Sequence, residues 1–264
     1  MTETRYNMRK YIARLLGAGS ILLALCFTGT GMAGGDDPYP EFIAYYDASA
    51  NGLGIGSVEV RLTRSGADEY LYEQKMDASG LAALFGPGSS SESSRWRYLD
   101  NRIQVIEYRS QQDGGDDEAN AHLSYDWEAL RVKNTGAGKH WEIAMPEDTI
   151  DRLVMQLAML FELRDGKTTF SYRFPRKGRI KQYDFKLVGE DTTELDTGRY
   201  RTLKVARTDD KKDKSWVWIA PQLDYFPVRF VKQKKTGVKI DLRLRKVEFL
   251  PGDTATGSAP PVTD

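Results

Sequence analysis

The chain has 264 residues, enough for one large domain or two small ones. Its 38 basic residues balance 38 acidic ones. That argues against a general nucleic-acid binder, whose backbone contacts need clustered cations. One cysteine and two histidines exclude a disulfide framework and a Cys/His zinc cluster, and no metal or cofactor is expected.

Residues 1–33 read as a cleavable secretory signal. Arg5, Arg9, Lys10 and Arg14 form a basic lead, an apolar run follows from Leu15 to Phe27, and small residues lead to Ala33. Gly31 and Ala33 suit the small-residue pockets of a signal peptidase, which places cleavage after Ala33. The apolar run, about 13 residues, is too short to span roughly 30 Å of hydrocarbon. Leu25 before Cys26 disfavours a lipoprotein, since a lipobox wants Gly, Ala or Ser there. The mature chain expected from this cleavage has no cysteine, no transmembrane segment and an excess of three acidic residues.

Residues 34–250 form the expected β-rich domain, and 251–264 read as a disordered tail of Gly, Ser, Thr, Ala and Pro. Period-2 alternation dominates the domain. Val58, Val60 and Leu62 share one face against Glu59 and Arg61. Ile106 and Tyr108 are expected opposite Ile103, Val105 and Glu107. Later runs include Tyr183, Phe185 and Leu187, then Leu203 and Val205, then Phe226, Val228 and Phe230. Ile240, Leu242 and Leu244 are in phase, but Val247 and Phe249 are not, so a β-bulge is expected at Arg245-Lys246. Closely spaced turn signals imply antiparallel neighbours and eleven to thirteen strands.

Two segments break the pattern. Ser79 to Phe85 reads as a short helix closed by Gly86-Pro87-Gly88. Thr149 to Leu163 reads as a longer helix, apolar round most of its circumference, with only Asp151, Arg152, Gln156 and Glu162 polar inside it. The expected fold class is therefore mainly β: a single domain whose strongly curved antiparallel sheet, or incomplete barrel, wraps one apolar α-helix, plus a short second helix.

Four segments together carry a family likeness. They are Ala50–Val60, Gly80–Phe85, Asp148–Leu157 and Trp218–Arg229. In content and order they resemble an exported bacterial family known only as domain of unknown function 3108. The likeness implies a Gram-negative periplasmic protein with a β-rich fold. It implies no activity and carries over no functional residues. By layout the chain is also similar to periplasmic lipoprotein carriers with an open half-barrel, an analogy of architecture alone.

Other constellations point to solvated or packed positions. His122 and Asp126 share a strand face about 13 Å apart, too far to share a metal. His140 and the acidic run Asp113–Glu118 read as ordinary polar positions. The Ser89–Ser94 run reads as a polar loop leading into a strand, and there is no Gly-x-Ser-x-Gly elbow. Trp216 and Trp218 share a face, as a sugar-stacking platform or, preferably, on a strand buried on both sides.

The remaining signal is apolar excess. Leu81, Leu84 and Phe85 on the short helix, and Met155, Met159, Leu160 and Phe161 on the long one, exceed what one sheet contact needs. They build either a packed core or a cavity lined for an acyl chain. The leading functional expectation is a periplasmic, non-enzymatic protein that binds or carries a lipid or other amphipathic envelope component. Leu81, Leu84, Phe85, Met155, Met159 and Phe161 would line its site. The first alternative is an assembly module with a solid core, docking on an envelope protein through a sheet edge or the basic hairpin Lys232–Lys235. The second is a periplasmic hydrolase, which requires converging titratable groups with shifted pKa.

Overall fold

Alternating apolar and polar residues pair into strands in the computed structural model, which describes residues 39–66, 68–79, 88–99, 102–113, 120–137, 140–210 and 212–250. In chain order these form β1 (Phe42–Ala50), β2 (Leu53–Arg64), β3 (Glu69–Ala78), β4 (Ser90–Leu99), β5 (Arg102–Gln112), β6 (Ala121–Asp126), β7 (Arg131–Asn134) and β8 (Trp141–Ala144). The helix α1 (Met155–Arg164) follows, then β9 (Thr169–Arg176), β10 (Arg179–Leu195), β11 (Gly198–Arg207), β12 (Lys214–Ala220), β13 (Phe226–Gln233) and β14 (Lys239–Phe249). The described residues thus hold fourteen strands, more than the eleven to thirteen expected. The short helix expected over 79–85, the signal and the tail lie outside the described residues, apart from Ser79.

All fourteen strands form one antiparallel sheet in the order β8-β7-β6-β5-β4-β3-β2-β1-β14-β13-β12-β11-β10-β9. It consists of two meanders joined where the first strand pairs with the last, with Phe42 opposite Phe249. The sheet is not closed into a barrel, yet its outer edges come close. The chain leaves β8 at Ala144, and Thr149 already bridges Arg173 of β9. Five Cα steps reach at most about 18 Å, far less than the width of fourteen flat strands. Strong curvature is therefore required by the connection itself.

Bulges supply part of that curvature. Tyr45 pairs with Lys246 and Tyr46 with Leu244, so Arg245 is the extra residue, at the site read from the phase change. A second bulge corrects the reading of β5. Arg95 pairs with Glu107 and Trp96 with Val105, leaving Ile106 unpaired. Val105 and Tyr108 are consequently both buried, at 0% and 4% exposure, although strict alternation puts them on opposite faces.

The helix is shorter than expected, beginning at Met155 and not Thr149. Thr149 is held in the β9 bridge, and the Ile150 N–H donates to the Arg173 carbonyl at 2.9 Å. The Asp151 side chain then organises a turn, its Oδ1 accepting from the N–H groups of Leu153 (2.7 Å) and Val154 (2.8 Å). Ile150, Leu153 and Val154 are still buried, so their apolar character serves the core without being helical. Along α1, Leu157 to Phe161 and Leu163 are buried. The Phe161 ring lies 5.9 Å from Tyr39, 6.4 Å from Trp96 and 6.2 Å from Tyr98.

The serine run is also not a loop. Ser90 to Ser94 belong to β4 and pair with β3 and β5, because unbranched hydroxyl side chains fit a ladder when flanking strands supply the apolar faces. One glycine is required by packing. Gly56 has φ +147°, and a Cβ there would lie 2.1 Å from the Asp77 carbonyl oxygen of the paired strand. Gly56→Ala is expected to cost about 2 kcal/mol or more, seen as a lower denaturant midpoint. An unchanged midpoint would show that β2 and β3 are not pinned there.

Candidate functional site

A polar cluster forms where the turn before α1 crosses β4 and β5. Asp151 is 1% exposed. Its Oδ2 accepts the Ser94 hydroxyl at 2.5 Å, while Oδ1 takes the two N–H groups described above. Burial pushes the Asp151 carboxyl up from 3.8 to about 6, against the opposing pull of the Ser94 hydroxyl and those N–H groups. Its neighbour Arg152 points into a closed triangle. Arg152 donates through Nε to the Tyr108 hydroxyl (2.7 Å) and through Nη2 to Glu92 Oε1 (2.5 Å). Tyr108 donates to Glu92 Oε2 at 2.8 Å. Burial pushes the Tyr108 phenol well up, and the Glu92 charge adds to this. Burial opposes the Arg152 charge, but Glu92 and Tyr108 outweigh it and hold the guanidinium above its ordinary value.

This cluster floors a cavity of about 510 Å³. Beyond Glu92, Tyr108, Asp151 and Arg152, its wall carries Ser90, Ser110, Gln111 and Gln112 from β4 and β5. Asn120, Asn134, His140 and Trp141 come from the β6–β8 side, and Pro175 to Gly178 from the β9–β10 turn. The cavity thus lies at the seam where the two sheet edges approach. Trp141 of β8 reaches the opposite edge: a Cβ on Gly178 would sit 3.5 Å from its ring. A second cavity, about 460 Å³, shares Ser110, Gln111, Gln112, Asn120, Ala121 and Ala137 with the first.

Of the sequence-predicted lining residues, the three that are described lie elsewhere. Met159 and Phe161 are buried in the hydrophobic core at 5% and 8% exposure, and Met155 packs half-buried against it. None of the three lines either cavity. Leu81, Leu84 and Phe85 lie outside the described residues. Of the two tryptophans, Trp218 is 7% exposed. Lys204 Nζ and Arg229 Cζ each sit 4.9 Å from its ring centroid, and its indole N–H donates to Asp191. Its ring is therefore covered by cations and is not an open stacking platform.

His140 joins the cavity wall, while His122 contacts Glu107 on β5 at 2.5 Å. Among the described residues no group of three His, Cys, Asp or Glu side chains is placed to hold a metal ion. No helix among them is long and apolar enough to cross a membrane. Sequence reading missed Glu92, Ser94 and Tyr108. The available signal was Asp151-Arg152, a charged pair interrupting an otherwise apolar segment.

Comparison with curated proteins gives no match. Among solved structures the chain is similar to the crystal structure of a beta-barrel-like protein of domain of unknown function DUF1849 from Brucella abortus. The TM-score is 0.52 at 8% identity, covering 80% of this chain and 98% of that one, a likeness of fold. The match of residues 43–243 to the family described as "Protein of unknown function (DUF3108)" shows that the chain belongs to that family.

Proposed function

We propose that this is a non-enzymatic binding protein of the periplasm that holds the polar part of an amphipathic envelope component in the seam cavity, with the sheet curled around α1. The observation that carries the reading is the cavity itself. Its volume falls within the roughly 300–1,000 Å³ typical of small-molecule sites, and its wall mixes polar side chains with Leu123, Trp141 and Pro175 beside a core already filled by Leu157, Leu160 and Phe161. With Met159 and Phe161 committed to the core and Met155 packed against it, the apolar contribution at the cavity falls to Leu123 and Trp141.

The hydrolase reading gains little from the raised carboxyl. Both Asp151 oxygens are already occupied by protein donors, and Glu92 is held by Arg152 and Tyr108, so neither is poised for proton transfer. A partner-docking role has one supporting contact set. Asp213 takes the Lys235 N–H at 3.1 Å and lies 3.7 Å from Lys232, which brings the basic β13–β14 hairpin beside the β11–β12 turn.

Native mass spectrometry of gently purified full chain tests the binding reading. A small-molecule adduct is expected, reduced in Trp141→Ala while the melting curve holds. Adduct-free protein in every preparation would overturn the reading.

A further inference from the structure

We propose that a row of three hairpin tips docks on an anionic lipid surface. The row follows from the strand order, which places β2, β1, β14, β13, β12 and β11 side by side. Antiparallel alternation brings the β1–β2, β13–β14 and β11–β12 turns to one end of the sheet, about 10 Å from tip to tip. Hydrogen bonds tie the three together. The Asn51 N–H donates to the Lys239 carbonyl at 2.8 Å, and the Lys239 N–H donates to Asn51 Oδ1 at 2.9 Å. Asp213 accepts the Lys235 N–H at 3.1 Å.

The tips are cationic with one apolar point. Lys212 and Lys214 stand at the β11–β12 turn, and Lys234, Lys235 and Lys239 at the β13–β14 turn, all of them exposed. The acids of the β11–β12 turn are committed: Asp213 lies 3.7 Å from Lys232, while Asp209 and Asp210 lie 2.6 and 3.3 Å from Arg207. The other two turns contain no acid. Among the described residues the exposed ammoniums are thus left without a carboxylate partner. Beside them, at the β1–β2 turn, Leu53 is 70% exposed, the barest of the large apolar side chains described. Clusters of roughly four to eight lysines are drawn to anionic headgroups, and a bare leucine gains by passing into the acyl boundary. Nucleic acid would use the lysines but offers Leu53 no apolar layer. A bilayer satisfies both at one surface. The β9–β10 turn, which walls the seam cavity, lies at the same end of the sheet. The proposal uses none of that cavity's residues and does not depend on what the cavity holds.

Cosedimentation with vesicles tests it. The chain from Gly34 onward suits the assay, because it holds every described residue and lacks the basic, apolar residues 1–33. Binding to phosphatidylcholine vesicles with about 30% phosphatidylglycerol is expected in roughly 50 mM salt, with little on pure phosphatidylcholine and loss in about 0.5 M salt. The double variant Lys234→Glu/Lys235→Glu should weaken it about twentyfold or more, and Leu53→Ser about threefold or more. Lys133→Glu/Arg199→Glu makes the same change in net charge at exposed positions elsewhere and should bind like the parent. Every substituted side chain is exposed, so the melting curves should match. Equal binding to both vesicles, no binding to either, or equal loss in the two double variants overturns the proposal. Binding unchanged in Leu53→Ser overturns it too, by reducing the row to a general anion patch. Poly-glutamate stands for an acidic protein partner, and binding to it but not to the anionic vesicles overturns the lipid assignment.

Discussion

Phe161→Ala is expected to destabilise the domain by about 3–5 kcal/mol, the range for deleting a buried aromatic ring. The ring sits on α1 among Tyr39, Trp96 and Tyr98, in contacts that join the helix to the segment before β1 and to β4. Removing it leaves a void between elements distant in sequence that cannot easily collapse onto one another. Leu157, 0% exposed one turn earlier, belongs to the same plug. Denaturant unfolding followed by tryptophan fluorescence gives the number directly. A loss below about 1 kcal/mol would mean that α1 is not seated in the core.

The second large effect is a dependence on pH. Asp151 titrates near 6 in the folded chain against an ordinary 3.8. A carboxyl raised by folding favours the folded state while it is protonated. Its contribution is therefore fully present below about pH 4 and is lost as pH rises through about 6, after which the cost is constant. The difference corresponds to about 3 kcal/mol. Asp151→Asn keeps an oxygen for the Leu153 and Val154 N–H groups and can donate to Ser94, but carries no charge to bury. It is expected to match the parent near pH 4 and to exceed its stability by about 2–3 kcal/mol at pH 7. Melting both proteins across that window isolates the effect, because every other titrating group is shared. Parallel curves would show that the Asp151 charge is not the penalised group.

How much of this was legible in the sequence depends on whether side-chain chemistry was ambiguous. The bulge at Arg245 could be read because apolar residues on either side of it keep clean but opposite phases. The bulge at Ile106 could not, since isoleucine is acceptable on either face and the flanking Val105 and Tyr108 are both apolar enough to be buried. The start of α1 was misplaced for the same reason. Ile150, Leu153 and Val154 continue a helical stripe on paper, yet a backbone pairing with Arg173 and an aspartate-held turn claim them first.

The candidate site was less accessible still. Ser94 is 57 residues from Asp151, and Glu92 is 60 residues from Arg152. Only the folded sheet brings them together. Apolar excess on the helix was a true signal of burial, but composition does not say whether buried methionine and phenylalanine face a ligand or one another.

The pairing of β1 with β14 has a consequence for how the chain reaches this state. The first strand emerges with its neighbour β2 soon available, but its other partner is the last strand to be made. Through nearly all of synthesis β1 therefore presents a bare row of amides and carbonyls, the kind of template that recruits a stray strand from another molecule. Closing it is a ring-forming event across almost the full length of the chain, which predicts a late and slow step in assembly. A chaperone that shields one strand would suffice to guard it.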